Sequence, residues 1–292
     1  HSASLAASWR RARARPPAPE PAPAPELNWR LPTRRRGEVA IDADGAAEVE
    51  VLNGGVLLTL GEMVLGGVGN ETYGDLLVRG AGSVVLAGAM QLFSTGEALS
   101  VLEIDAGGVV TLPYDLHVNN SRVIVSGADS KLEVYNNFVI RGGAEATLEV
   151  TNGGALLNPA DLEDFNDGAV FIFDSIAPDS SPDGNVLIGG TIVSNDSRIR
   201  TLGNIRIGDE SNGYVLVESS SDIVTLGVVT LGNGSNGTSG YLVIDEGSEF
   251  GAGDLIVGAD EGPSSLFRVS DSSKAYVYGS LEVRRTGVVQ TE

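Results

Sequence analysis

The chain has 292 residues, a formal net charge of −20 at neutral pH, 42% hydrophobic but only 5% aromatic residues, 39 glycines and no cysteine. The lack of cysteine excludes a disulfide framework, a thiolate metal site and a cysteine nucleophile. No run of about 18 apolar residues is present to suggest a membrane-spanning helix, and so much Val, Leu and Ile excludes a fully solvated, disordered chain.

Residues 1–37 differ from the rest. They hold seven of the 12 prolines and both tryptophans. Ser2 to Arg15 is rich in Ala and Arg, whereas Pro16 to Pro25 alternates proline with Ala or Glu and is expected to be extended. Eight arginines (Arg10, Arg11, Arg13, Arg15, Arg30, Arg34, Arg35 and Arg36) against Glu20 and Glu26 give residues 1–36 a charge of +6. The remaining 11 basic and 37 acidic residues give the rest of the chain −26. An acidic body repels nucleic acid and attracts its own arm.

From about Glu38 onward short β segments alternate with Gly, Asn, Asp and Ser turns. In the first half, Val84, Val109, Leu132 and Ala155 are expected to begin equivalent strands. Asn158 to Phe165 interrupts the pattern: an Asn cap, a proline at the first helical position and acids in the first turn predict a short helical insertion near 158–166. In the second half one phrase returns as Ile205-Arg206-Ile207-Gly208, Val229-Thr230-Leu231-Gly232, Leu255-Ile256-Val257-Gly258 and Leu281-Glu282-Val283. A second phrase lies between, as Tyr214 to Val217, Tyr241 to Ile244 and Leu266 to Val269. Recurrence at nearly constant spacing favours a stack of coils over a sandwich. The expected fold is all-β: a parallel β-solenoid over 38–292 of roughly ten coils, at about 24 residues each. Val229, Leu231, Leu255, Val257, Leu281 and Val283 are expected to point inward.

This cadence over Ile205–Val283, and more weakly over Met63–Leu157, resembles the repeat associated with type V secretion (autotransporter) and PEP-CTERM surface proteins of bacteria. The resemblance implies a β-solenoid at the cell surface or outside the cell, in a chain whose signal peptide is already removed.

Little in the sequence points to chemistry. Histidine occurs only as His1 and His117, too few for a proton relay, and no cofactor or metal is expected. Asp161, Glu163, Asp164 and Asp167 could pair across a sugar as glycosidase carboxylates do, but 39 acids produce such clusters freely, so a solvated acidic face is the preferred reading. Asp179 to Gly184 could hold calcium, although its spacing matches no EF-hand loop. Five glycosylation sequons, at Asn70, Asn119, Asn195, Asn233 and Asn236, read as chance products of Asn/Ser turns in a bacterial chain and as glycan acceptors, for some of them, in a secreted eukaryotic one. The functional expectation is therefore a non-enzymatic extracellular protein that assembles head-to-tail with copies of itself. Its arm, anchored by Trp9 and Trp29 and carrying the eight arginines, would dock on a neighbour. Leu281, Val283 and Val288 would form the strand-like end that stacks. The alternative is a monomeric surface adhesin binding polysaccharide or host surfaces.

Overall fold

Segments of three to seven residues that alternate in polarity can bury one face as a strand but are too short for an amphipathic helix. The computed structural model describes residues 39–41, 46–67, 73–95, 98–142, 146–158, 170–175, 190–232 and 237–292. Among these residues there are 29 strands and no helix. The chain divides into two units, His1–Arg34 and Arg35–Glu292, and the described residues all belong to the second. The arm with its tryptophans and arginines, the expected helical turn after Asn158, the carboxylate cluster at 161–167 and the candidate calcium loop lie outside the described residues.

The strands form three parallel sheets of 10, 10 and 9, and each sheet takes every third strand along the chain. Each coil thus contributes one strand to each sheet, and every strand pairs with its counterpart in the coils before and after. This is a β-solenoid. Its ten coils begin, in the first sheet, at Val39–Ile41, Glu62–Leu65, Ala89–Phe93, Leu116–Asn119, Phe138–Gly142, Val170–Ser175, Asn204–Ile207, Val228–Leu231, Asp254–Val257 and Leu281–Val283. The tenth coil has strands in the first two sheets only, so the third sheet ends at Lys274–Val277 of coil 9.

Pairing in constant register places side chains of the same kind above one another. One inward column of the first sheet reads Met63, Met90, Leu116, Phe138, Phe171, Ile205, Val229, Leu255. All of these are buried. A column of the second sheet runs Val51, Val78, Ile104, Val125, Val150, Val193, Val217, Ile244, Val269. Coils 5 and 6 carry extra residues, 159–169 and 176–189, yet the register resumes beyond them. The core there is filled by Phe138 against Phe171 and Phe173, with ring centroids 5.7 and 5.9 Å apart.

The corners are built from residues that tolerate a left-handed backbone. Between the second and third sheets, paired positive φ angles recur at Asn53-Gly54, Ala106-Gly107, Asn152-Gly153, Asn195-Asp196, Ser219-Ser220, Glu246-Gly247 and Asp271-Ser272. Asn, Asp and Gly are the residues that enter this region most cheaply. Buried serines then tie one coil to the next. The Ser197 amide donates to Ser221 Oγ (3.2 Å), the Ser221 amide to Ser248 Oγ (3.2 Å) and the Ser248 amide to Ser273 Oγ (3.1 Å). Between the first and second sheets, the glycine that ends the repeated phrase is required. Gly208 has φ +80°, and a Cβ there would lie 2.2 Å from Ser239 O.

The inward assignment of Val229, Leu231, Leu255 and Val257 agrees with the structure, all four being fully buried. Leu281 and Val283 continue their columns in register with Leu255 and Val257 but are exposed, because among the described residues no strand lies above them. One strand start is corrected. The partner of Val109 and Ala155 is Lys131, not Leu132, and Leu132 points inward opposite Val110 and Leu156. The outward Lys131 carries a charge where Val84, Val109 and Ala155 carry apolar groups, which hides the true start of the strand.

Candidate assembly surfaces

Solenoid coils satisfy their backbone groups by pairing with neighbouring coils, so the two terminal layers are where pairing stops. At the C-terminal end, Leu281, Val283 and Val289 are 52%, 48% and 37% exposed, whereas Leu255 and Val257 one layer below are at 0%. Val289 occupies the inward column of Phe267, and Val288 lies beside it on the outer face. Of the candidate assembly residues, the structure thus brings Leu281, Val283 and Val288 together on one terminal layer. The arm residues lie outside the described part of the chain.

Position along the coil axis also matters for outward side chains. Leu52, Val56, Leu58 and Leu60 are exposed on coil 1, and Tyr276 and Tyr278 on coil 9. Sequence reasoning passed over these six residues. Their alternation is that of any strand, and only the register shows that Leu58 shares an outward column with Leu86 and Thr111.

The flat faces between the ends are organised by charge. Arg79 pairs with Glu103 (3.0 Å) and Asp105 (3.2 Å) of the next coil. Arg122 pairs with Glu149, and Arg200 with Asp222 (2.6 Å). Lys274 reaches Glu249 at 3.3 Å. These are exposed or half-exposed pairs, each contributing little to stability. His117 faces outward 3.9 Å from Asp115, in keeping with an ordinary strand position.

Carboxylates accumulate where the second sheet turns into the third in coils 7 to 10. Burial, followed by Glu246 and Asp245, holds Glu218 above the usual carboxylate range. The charge of Asp245, chiefly, raises Asp271, with Glu246 and Glu292 adding to it. On the second sheet, burial raises Asp75 although the Val101 amide donates to its carboxylate. Asp254 is lowered instead, because the Ser280 amide and hydroxyl both donate to it, at 2.6 and 2.7 Å. Among the described residues no group of three or more His, Cys, Asp or Glu side chains is arranged to hold a metal ion, and no helix is long and apolar enough to cross a membrane.

No family model, no curated protein and no solved structure matches the chain.

Proposed function

We propose that the chain is a structural protein of the cell surface or extracellular space that stacks end to end with copies of itself and does no chemistry of its own. The observation that supports this reading is the layer presented by coil 10. There the core columns of the first two sheets reach solvent at Leu281, Val283 and Val289, above layers that are fully or almost fully dry. The first coil of a second copy offers the matching set of strands, Val39–Ile41 for the first sheet and Ala46–Leu52 for the second. Stacking it on Leu281–Val283 and Gly287–Thr291 would continue the parallel ladders and dry the exposed columns. Such a contact repeats without closing and yields a filament. The arm, at +6 against a body of −26, is assigned to a neighbouring subunit, where Trp9 and Trp29 would anchor it. The extracellular location rests on the resemblance of the repeat to those of bacterial surface proteins.

Sedimentation and electron microscopy of the 292-residue chain test this directly. Concentration-dependent polymers are expected, and Leu281→Lys with Val289→Lys should shift them to monomer. Both sites are partly exposed, so the melting temperature should change little. Deleting residues 1–36 should weaken polymers while leaving the β-rich circular dichroism intact, and added salt should weaken the arm's contribution. A chain that stays monomeric at all concentrations would overturn the reading in favour of a monomeric adhesin. Release of reducing or unsaturated sugar from acidic polysaccharides would overturn the non-enzymatic part.

A further inference from the structure

The outer face of the second sheet changes character half-way along the solenoid. Two columns of side chains point outward across the middle of its strands. In coils 1 to 5 these columns hold five acids, Glu48, Glu50, Asp75, Glu103 and Glu149. In coils 6 to 9 they hold none. One column there reads Ile192, Leu216, Val243, Arg268, and the other Tyr214, Tyr241, Leu266. In a body of charge −26, a face kept only for solubility would stay acidic, as it does in coils 1 to 5.

Tyr214 and Tyr241 come from successive coils, with ring centroids 6.5 Å apart and ring planes 32° from parallel. Both are half-buried, as are Ile192, Leu216 and Leu266, so the rings keep part of their surface open to solvent on an otherwise apolar strip. Arg268 Nε is buried without a hydrogen-bond partner. Glu218 and Asp245 stand at the next outward position along the strands, two residues past Leu216 and Val243. Burial, above all, holds the Tyr214 hydroxyl above the ordinary phenol range; the Arg268 charge opposes this, and Glu218 and Asp245 add to it. All three charged groups are thus within electrostatic reach of that hydroxyl.

The strip is narrow. Four layers at about 4.8 Å and two outward positions give on the order of 200 Å², against about 800 Å² per partner in a stable contact between proteins. Its shape fits a linear ligand lying along the coil axis. The acidic body repels nucleic acid, anionic membrane and other polyanions, which leaves an uncharged chain with apolar faces and hydrogen-bonding edges. A neutral polysaccharide has both: its C–H faces match the tyrosine rings, and its hydroxyls match Arg268, Glu218 and Asp245. A straight β-1,4-linked chain also repeats its rings at close to the spacing of the coils. We propose that the outer face of the second sheet over coils 6 to 9 binds a linear, neutral, β-1,4-linked glycan, seated on Tyr214 and Tyr241. The site involves neither terminal layer and is independent of end-to-end stacking.

Titration calorimetry of the 292-residue chain with cellohexaose tests this. Saturable binding is expected, and Tyr241→Leu, which keeps the apolar bulk but removes the ring and hydroxyl, should weaken it at least about tenfold with a nearly unchanged melting curve. Tyr114→Leu, at an exposed tyrosine off this face, should leave binding unchanged. Maltohexaose, the same sugar and length in a coiled chain, should bind more weakly. Arg268→Gln provides a second variant, expected to weaken binding as well, should Tyr241→Leu fail to fold. No binding of cellohexaose, equal binding of the two sugars, or binding indifferent to both Tyr241→Leu and Arg268→Gln would overturn the proposal. A fall in self-association with Tyr241→Leu, with no sugar bound, would overturn it in favour of a contact between copies.

Discussion

Thr191 stands in an inward column of the second sheet between Leu148 and Val215 and is fully buried. Its hydroxyl finds no hydrogen-bond partner. A buried hydroxyl without a partner costs roughly 1–3 kcal/mol, and replacing it by an apolar group of the same shape removes that cost. Thr191→Val is therefore expected to stabilise the solenoid by about 1 kcal/mol, seen as a higher denaturant midpoint at unchanged slope. A lower midpoint would mean that the hydroxyl is bonded. The reverse experiment belongs to Val257, which is also fully buried and stacks on Leu231 within the hydrophobic core. Val257→Asp places a carboxylate where no donor or cation can reach it, and a loss of about 3 kcal/mol or more is expected. Unchanged thermal stability would show that the first-sheet register is misassigned.

At the scale of the strand, the sequence was most legible where the phrase repeats with its glycine. Ile205-Arg206-Ile207-Gly208 and its successors state the inward positions, the outward position and the corner in four residues, and each lies in the stated register. The first half was read less well because its outward positions vary between apolar and charged residues. Lys131 is one such position, and the strand start there was displaced by one residue onto Leu132. The exposed terminal layer could not be read locally at all. Leu281-Glu282-Val283 is written like Leu255-Ile256-Val257, and its side chains are wet only because no strand among the described residues lies above it.

At the scale of the whole molecule, the acidic surface makes stability depend on pH. Glu218, Asp271 and Asp75 are all raised above their ordinary values. A carboxylate raised in the folded state resists ionisation there, so its contribution to stability is full at low pH and is lost as pH rises through its folded pKa. Lowering the pH from neutral into the carboxylate range should accordingly raise the melting temperature, as these groups take up protons in the folded state before they do in the unfolded one. Asp254 works in the opposite sense, since its lowered value contributes stability that disappears only on further acidification. Asp271→Asn should raise the melting temperature at neutral pH and flatten the rise on acidification. A melting temperature that falls steadily from pH 7 to about 5 would contradict this balance.

The left-handed corners bear on chemical ageing. Asn53-Gly54 and Asn152-Gly153 are the dipeptides in which asparagine deamidates most readily, because the glycine amide nitrogen attacks the preceding side-chain carbonyl to close a succinimide. Here both glycine amides are already engaged. Gly54 donates to Ser83 Oγ at 3.1 Å, and Gly153 donates to Asn195 O at 2.9 Å and to Ser197 Oγ at 3.1 Å. The backbone is held at φ 53° and 54° at the two asparagines, so closing the ring would require the corner to open first. The folded chain should keep both asparagines over prolonged incubation at mildly alkaline pH, while peptides spanning the same dipeptides convert, a difference that mass spectrometry resolves. The hydrogen bonds that stack the coils thus also set how long the corners resist chemical ageing.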